Sequence, residues 1–207
     1  MSTPEIILHG TELSGHTHRV ELLLRMLGLP YRYVVASAAA RSSPEFQKLN
    51  PLCQIPVLQD GELTLADSNA ILVYLAKRYA PGSQWLPEEP VAAAHVQRWL
   101  SIAAGEVRYG PATARAVILW NFPGDRARAK QIAAVLLRFM NEHLATRSFL
   151  AAEHATIADL ACYSYVAHAP EGGIPLGGYQ SVLAWLRRVE SLPHFKPIPP
   201  SPIPAAE

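Results

Sequence analysis

A strand, a helix and a second strand follow one another at the start of the chain, within about 30 residues. Residues 5–10 form a short apolar run that ends in glycine, which is typical of a buried strand. From Gly15 the apolar residues follow helical spacing up to a stop at 28–30. Residues 31–35 are rich in the aromatic and β-branched side chains that strands prefer. The chain is therefore predicted to begin with a βαβ unit, in which the two strands are parallel.

An antiparallel hairpin and a further helix complete the first 80 residues. After a short helical segment at 44–49, residues 50–58 end in an apolar run. An Asp-Gly pair at 60–61 is a tight-turn signal, and residues 63–65 form the returning strand. Apolar residues at helical spacing then extend over 67–79. The predicted order of elements is βαβ-α-ββα.

The pattern changes at the segment 82–90, which is rich in proline and is predicted to be a linker. Beyond it, long stretches of alanine, leucine, valine and arginine indicate helices, with no strand pattern. These stretches are 90–119, 125–145, 156–168 and 179–191. We therefore predict an α/β domain over residues 1–81 and an all-helical domain over 91–207. The six prolines from Pro193 onward predict an extended tail that packs against no core.

Charge and cysteine usage exclude several classes of function. The 18 Lys and Arg residues are balanced by 17 Asp and Glu, and neither domain has the basic excess that nucleic-acid binding requires. The N-terminus lacks the pattern of a signal peptide, and no apolar run approaches the ~20 residues that span a bilayer. The two cysteines, Cys53 and Cys162, and the eight histidines show no metal-ligand spacing. We expect a cytoplasmic protein with free thiols rather than a disulfide, no metal, and no membrane or nucleic-acid partner.

Four local motifs, in this order and at these separations, resemble those of the cytosolic glutathione transferase family. They are LSGHTHRV at 13–20, NPLCQIPVL at 50–58, DSNAIL at 67–72 and TIAD at 156–159, the last of which also matches a helix-capping box. The resemblance covers nearly the whole chain, and the first motif is most similar to the serine-type and related bacterial branches. It implies a thioredoxin-like domain that binds glutathione as co-substrate. The helical domain would then receive a small apolar electrophile, as in a detoxification enzyme.

The reaction of this family adds the glutathione sulfur to an electrophile, and the reactive form of the sulfur is the thiolate. A free thiol has a pKa of ~8.5, so lowering it by about two pH units takes about 2.7 kcal/mol. One hydrogen bond to a charged acceptor contributes about 1.5–3 kcal/mol, so one hydroxyl aided by a helix N-terminus is enough. The resemblance assigns this hydroxyl to Ser14. The residues alone leave Thr17 and His16 open, and a plain helix cap would also explain a serine there.

The resemblance also implies how glutathione is held. The Ile55–Pro56 peptide is expected to be cis, which leaves the Ile55 backbone free to pair with the cysteinyl part of glutathione. Ser68, at a helix start, is expected to hold the γ-glutamyl carboxylate, with Asp67 facing the ammonium group and Gln54 near the glycyl end. A trans proline, an ordinary helix start and a solvated Gln54 are the alternatives that the residues alone leave open.

The resemblance further implies a pocket for the second substrate and a twofold homodimer. The candidates for this pocket are His16, Tyr109, Trp120 and Tyr163. Core packing would explain the aromatic ones equally well. The dimer is expected to have the helix at 90–119 at its centre. Cys53 stands where the family commonly has glycine, and Asp67 where it often has glutamate or glutamine. We expect Cys53 to be a partly exposed thiol near glutathione.

Two other classes of function remain open on the sequence. One is a non-catalytic module that binds glutathione or another ligand through the same fold. The other is a glutathione-dependent thiol–disulfide oxidoreductase or peroxidase centred on Cys53. Redox members of the family carry their cysteine at the start of the first helix, where this chain has SGHT, which disfavours the second alternative. The residues do not distinguish conjugation from the isomerase and dehalogenase reactions of the family.

Overall fold

The first domain is built on a four-stranded sheet with the strand order β2-β1-β3-β4. The computed structural model describes residues 5–205. The strands are β1 (Ile6–Gly10), β2 (Tyr31–Val35), β3 (Val57–Asp60) and β4 (Leu63–Ala66). β1 runs parallel to β2 and antiparallel to β3, and β3 forms a hairpin with β4. The predicted βαβ unit and hairpin are confirmed.

Helices cover both faces of this sheet. They are α1 (Gly15–Met26), α2 (Ala38–Arg41), α3 (Pro44–Leu49) and α4 (Ser68–Tyr79). α1 and α4 bury leucine and isoleucine side chains in the same core as Leu8 and Leu58. Val57 points to the other face because neighbouring residues of a strand alternate, and there it packs against Phe46 of α3. The single-turn helix α2 is absent from the predicted order.

One long helical run crosses the second domain, as predicted for 90–119, but its middle is not α-helical. It consists of α5 (Pro90–Ile102), a π-helical segment (Ala103–Ala112) and α6 (Thr113–Trp120). Pro111 lies inside the π-helical segment, and proline has no N–H for the bond that an α-helix needs. The remaining elements are α7 (Arg126–His143), α8 (Ile157–Ala167), a 3₁₀ turn (Ala169–Gly172) and α9 (Gln180–Glu190).

The two domains share one hydrophobic core, and α8 is buried along nearly its whole length within it. The predicted capping box at the start of α8 is present. The Asp159 carboxylate accepts the N–H of Thr156 at 2.9 Å, and it also accepts the N–H of Leu150 and the indole N–H of Trp185. Burial raises the pKa of Asp159, and these bonds oppose the rise. Asp159 thus ties α8 to the preceding loop and to α9.

The prediction that the proline-rich tail packs against no core is wrong for its described part, 193–205. Ile198 is only 3% exposed, and the Phe195 ring packs edge-on against Tyr163. The Lys196 carbonyl oxygen lies 2.6 Å from Nε2 of His18 on α1, and its ammonium group lies 2.8 Å from the Glu21 carboxylate. The prolines keep this segment extended, but Phe195 packs against the core and Ile198 is buried. Along 5–205, no helix is long and apolar enough to cross a membrane.

Candidate active site

The segments that carry the predicted site residues leave the sheet side by side. His9, at the end of β1, pairs with Val57, at the start of β3, and Val57 pairs with Ala66, at the end of β4. The loop to Ser14 follows β1, Pro56 precedes β3, and Asp67 follows β4. Because these ends are adjacent in the sheet, the predicted site residues of the first domain belong to one edge.

Ser14 is the N-cap of α1. Its Oγ accepts the N–H of Thr17 at 3.2 Å, and its own N–H donates to the Thr11 carbonyl at 3.1 Å. The side chain is only half-buried. A serine hydroxyl has two acceptor lone pairs and one proton, so capping leaves the proton free to donate. The helix-cap interpretation and a catalytic role are therefore compatible at the same atom.

The other two candidates near Ser14 face elsewhere. The Thr17 hydroxyl is buried against β1, where a Cβ built on Gly10 would come within 2.5 Å of it, and it has no hydrogen-bond partner in the described structure. His16 lies over the start of α4, with Nδ1 3.4 Å from the Ser68 Oγ, and its ring packs edge-on against Tyr165. Burial, foremost, and the charges of Arg19 and Arg108 lower the pKa of His16 well below its ordinary value. The imidazole is therefore neutral at neutral pH.

The loop before β3 has the expected backbone. The Ile55–Pro56 peptide is cis, and Asn50 holds the loop by donating to the Gln54 carbonyl at 2.9 Å. The Gln54 side chain is exposed. Cys53 has a φ of 54°, in the left-handed region that glycine adopts without a steric penalty, which explains why glycine suits this position. Its thiol is partly exposed, as expected.

Asp67 and Ser68 form the start of α4. One carboxylate oxygen of Asp67, Oδ1, accepts the N–H groups of Asn69 and Ala70, each at 2.9 Å, so this residue is the N-cap. Ser68 is buried, and its hydroxyl oxygen accepts a hydrogen bond from Nη1 of Arg19 at 3.2 Å. Capping occupies one oxygen of Asp67, which leaves the second for a ligand.

Sequence reasoning missed Arg19, which lies under this helix start. Only 1% of it is exposed, and Nη1 also donates to the Asn69 amide oxygen at 2.9 Å. Its Nε and Nη2 have no hydrogen-bond partner among residues 5–205. Burial lowers its pKa, so the protein bears the cost of a desolvated cation here. Helical spacing could have indicated that Arg19 is buried, because Leu22 and Leu23, three and four residues later, share its face of α1.

Sequence reasoning also missed a second buried arginine, Arg115 on α6. Its Nη1 donates to the carbonyl of Leu13 at 2.6 Å, and its Nε forms an ion pair with Glu171 at 2.5 Å. No local motif marks it, because both partners are more than 50 residues away in the chain.

The predicted second-substrate residues lie in three different environments. Tyr109 and Trp120 are exposed, and the guanidinium groups of Arg108 and Arg115 lie over their respective rings. Tyr163 is only 3% exposed and donates to Glu190 at 2.9 Å from within the core. For Tyr163, core packing is what the structure shows, since so enclosed a ring has no surface to offer a substrate. His16 lies with Ser68.

Comparisons with known proteins agree with this architecture. Residues 8–84 match the family model for the glutathione S-transferase N-terminal domain. Glutathione S-transferase 3 of Zea mays is 30% identical over 94% of this chain and 96% of its own length. The chain belongs to the glutathione S-transferase family.

Solved structures of the family have the same fold as this transferase. A glutathione S-transferase from Pseudomonas fluorescens superimposes with a TM-score of 0.87 at 31% identity, over 93% of this chain and 98% of that chain. A glutathione transferase homologue from Drosophila mojavensis, solved with bound glutathione, has a TM-score of 0.80 at 27% identity, over 92% of this chain and 89% of that chain. Both the thioredoxin-like part and the helical part of the chain are thus present in solved structures of the family.

Proposed function

We propose that this glutathione transferase binds glutathione along the edge formed by Ser14, the Ile55–Pro56 peptide and Ser68, and activates its thiol at Ser14. The observation that carries the proposal is the strand register, which makes the three segments neighbours. The Ser14 hydroxyl keeps its proton available while it caps α1, and the half-buried side chain is open to a ligand. The sulfur would then lie at the positive end of the α1 dipole, which favours the thiolate.

The γ-glutamyl end of glutathione is assigned to the start of α4. The Ser68 oxygen accepts from Arg19, and the hydroxyl also faces Nδ1 of His16 across a long contact of 3.4 Å, so its proton can turn to a bound carboxylate. The buried Arg19 guanidinium adds positive charge behind that hydroxyl. The second oxygen of Asp67 is available for the ammonium group, and the exposed Gln54 is within the loop that would meet the glycyl end.

A small apolar electrophile is assigned to the exposed wall of the helical domain. Tyr109 and Trp120 are the predicted pocket residues that are exposed. Phe122, two residues after Trp120, is a further exposed aromatic residue that the sequence does not predict for the pocket. Arg108 lies over both the Tyr109 and Phe122 rings, which groups these two aromatic side chains. Exposed aromatic surface of this kind is suited to an apolar partner or ligand.

Catalysis is favoured over a non-catalytic module because the thiol-activating hydroxyl and both glutathione-holding segments are present together. The test is to bind the protein to immobilised glutathione and then to assay electrophiles and peroxides. We expect binding and conjugation. Binding without turnover of any substrate would favour the module. Peroxide or disulfide reduction that disappears in Cys53→Ser would favour the redox alternative.

A further inference from the structure

The peptide unit between Leu13 and Ser14 is held at both of its polar ends. Its N–H, on Ser14, donates to the Thr11 carbonyl at 3.1 Å, within the loop. Its carbonyl oxygen, on Leu13, accepts from Nη1 of Arg115 at 2.6 Å, which reaches it from the helical domain. A peptide unit is planar, so fixing both groups fixes the orientation of the plane from which Ser14 extends. The Ser14 side chain therefore takes its direction partly from a residue 101 positions away in the chain.

Arg115 is itself held rigidly. It is fully buried, and its Nε donates to Oε2 of Glu171 at 2.5 Å. The other oxygen of Glu171 accepts from Nδ1 of His168 at 2.8 Å and from the N–H of Ser201 in the tail at 3.0 Å. Burial by itself would raise the pKa of Glu171, but these bonds outweigh it and keep the pKa below its ordinary value. The carboxylate is therefore charged, as the ion pair requires.

The backbone around Glu171 also leaves little freedom. A Cβ built on Gly172 would lie 2.7 Å from the backbone nitrogen of Arg115, so the 3₁₀ turn touches α6 directly. Only glycine allows this approach. Glu171 and Arg115 are thus fixed both through their side chains and through their backbones.

We propose that Arg115 is a positioning residue for thiol activation: it fixes the Leu13 carbonyl and so directs the Ser14 hydroxyl towards the glutathione sulfur. The inference rests on the proposed role of Ser14. A hydrogen bond weakens steeply as its angle departs from linear, so a reoriented Ser14 would stabilise the thiolate less even if glutathione still bound. Arg115 touches neither substrate in this scheme. It acts through the Leu13–Ser14 peptide.

The test is Arg115→Lys, assayed as a pH–rate profile together with the ultraviolet absorbance of the bound thiolate. A lysine keeps the charge opposite Glu171 but lacks the planar fork that serves two acceptors at once, so the bond to Leu13 is the one we expect to be lost. We expect kcat near neutral pH to fall ~10-fold and the thiolate titration to move up by about one pH unit. The KM for glutathione should change by less than about twofold, since glutathione is held at other segments.

Arg188→Lys is the matched control. This arginine also donates to a backbone carbonyl in the helical domain, with Nε 2.7 Å from the oxygen of Ser148. It has no contact with the Ser14 loop in the described structure. We expect Arg188→Lys to lower the melting temperature without moving the thiolate titration. If Arg115→Lys does not fold, Glu171→Gln removes the charge that orients Arg115 and keeps the side-chain shape, and it should shift the titration in the same direction.

A double substitution separates this inference from the proposed function. If Arg115 acts through Ser14, adding Arg115→Lys to Ser14→Ala should cause no further shift of the titration. If Ser14→Ala shifted the thiolate titration and Arg115→Lys did not, the positioning role would be overturned and the proposed function would stand. Shifts that add in the double variant would also overturn it. If Ser14→Ala itself kept the parental pH–rate profile, the proposed role of Ser14 in thiol activation would be overturned.

Discussion

At the residue scale, one hydroxyl can cap a helix and still donate to a ligand. Ser14 caps α1 through its oxygen and keeps its proton for a ligand, so an N-cap serine and a catalytic serine are not competing interpretations. The two other candidates for thiol activation near Ser14 do not share its environment. The Thr17 hydroxyl is enclosed beside Gly10, and His16 is turned towards Ser68.

Ser14→Ala is expected to reduce turnover more than binding. The loss of one hydrogen bond to a charged sulfur, about 1.5–3 kcal/mol, corresponds to a ~10- to 100-fold fall near neutral pH. The deficit should shrink as the pH rises, because the thiol then ionises without help. A pH–rate profile measures this, with Thr17→Val as the control because its shape is the same and its hydroxyl is enclosed. If turnover near neutral pH fell in Thr17→Val or His16→Ala while Ser14→Ala kept the parental pH–rate profile, Ser14 would be only a helix cap.

Cys53→Gly is expected to leave turnover largely intact and to stabilise the protein. A left-handed backbone costs a side-chain-bearing residue about 1–2 kcal/mol, and glycine avoids that cost at this φ of 54°. Thermal unfolding of the two proteins measures the difference. Proximity of the thiol to glutathione is tested separately, by iodoacetamide alkylation of the parent. Alkylation that proceeds equally fast with and without glutathione would contradict that proximity.

At the scale of elements, one buried imidazole links α1 both to α8 and to the tail. Nδ1 of His18 lies 2.9 Å from the Ser164 hydroxyl of α8, and Nε2 lies 2.6 Å from the Lys196 carbonyl in the tail. Burial, foremost, lowers the pKa of His18 to about 4, although the bond to Lys196 opposes the shift. The folded protein therefore holds this ring neutral where the unfolded chain would protonate it.

This neutral ring predicts a loss of stability in mild acid. The folded-state pKa of about 4 lies below the ordinary histidine value of 6.5, so the contribution of His18 to stability is complete above pH 6.5 and is lost as the pH falls towards 4. Its size is on the order of 3 kcal/mol. Melting temperatures from pH 7 to pH 4 should fall less steeply in His18→Asn than in the parent. Part of the fall in melting temperature with pH should remain in His18→Asn, because the pKa of His16 is lowered in the folded protein too. Parallel curves for the two proteins would refute the assignment.

At the scale of the whole molecule, apolar surface is concentrated on the helical domain. A groove of about 710 Å³ lies between the α5–π-helical run and α7, lined in part by Ile102, Val135 and Phe139. Val91 and Val135 are more than half exposed. Exposed apolar surface of this extent favours association, and the near-zero net charge offers little repulsion against it.

We therefore predict a twofold dimer centred on the long helical run of 90–120. Val135→Lys, which places a charge in the groove, should shift the sedimentation of micromolar protein towards monomer. Val35→Lys is the matched control, because Val35 is equally exposed, at 66% against 67%, but lies on β2 at the edge of the sheet. A parent protein that sediments only as monomer would exclude the dimer.

Local patterns of the sequence were enough for the architecture of the first domain. Apolar periodicity and the Asp-Gly turn depend on neighbouring residues, so β1, α1, β2 and the hairpin could be predicted without tertiary information. The capping box before α8 is likewise a short motif that forms within a few residues. The cis Ile55–Pro56 peptide was expected from the family resemblance, because the residues alone also allow a trans proline. Ser14, Asp67 and Ser68 are likewise assigned by the resemblance, and the residues alone predict only helix starts at these positions.

The features that local sequence patterns do not predict depend on contacts between distant residues. Arg115 carries no motif, and nothing nearby in the chain shows that it is buried under the site. For Arg19, the helical spacing indicates burial, but its partners Ser68 and Asn69 lie far away in the chain. The prolines of the tail determine its extended shape, whereas its packing depends on Ile198 and Phe195 meeting side chains from elsewhere in the chain. An aromatic residue such as Tyr163 suits a pocket or a core equally well, and only the packing around it decides which. Burial is a property of the assembled chain, and local sequence patterns do not determine it.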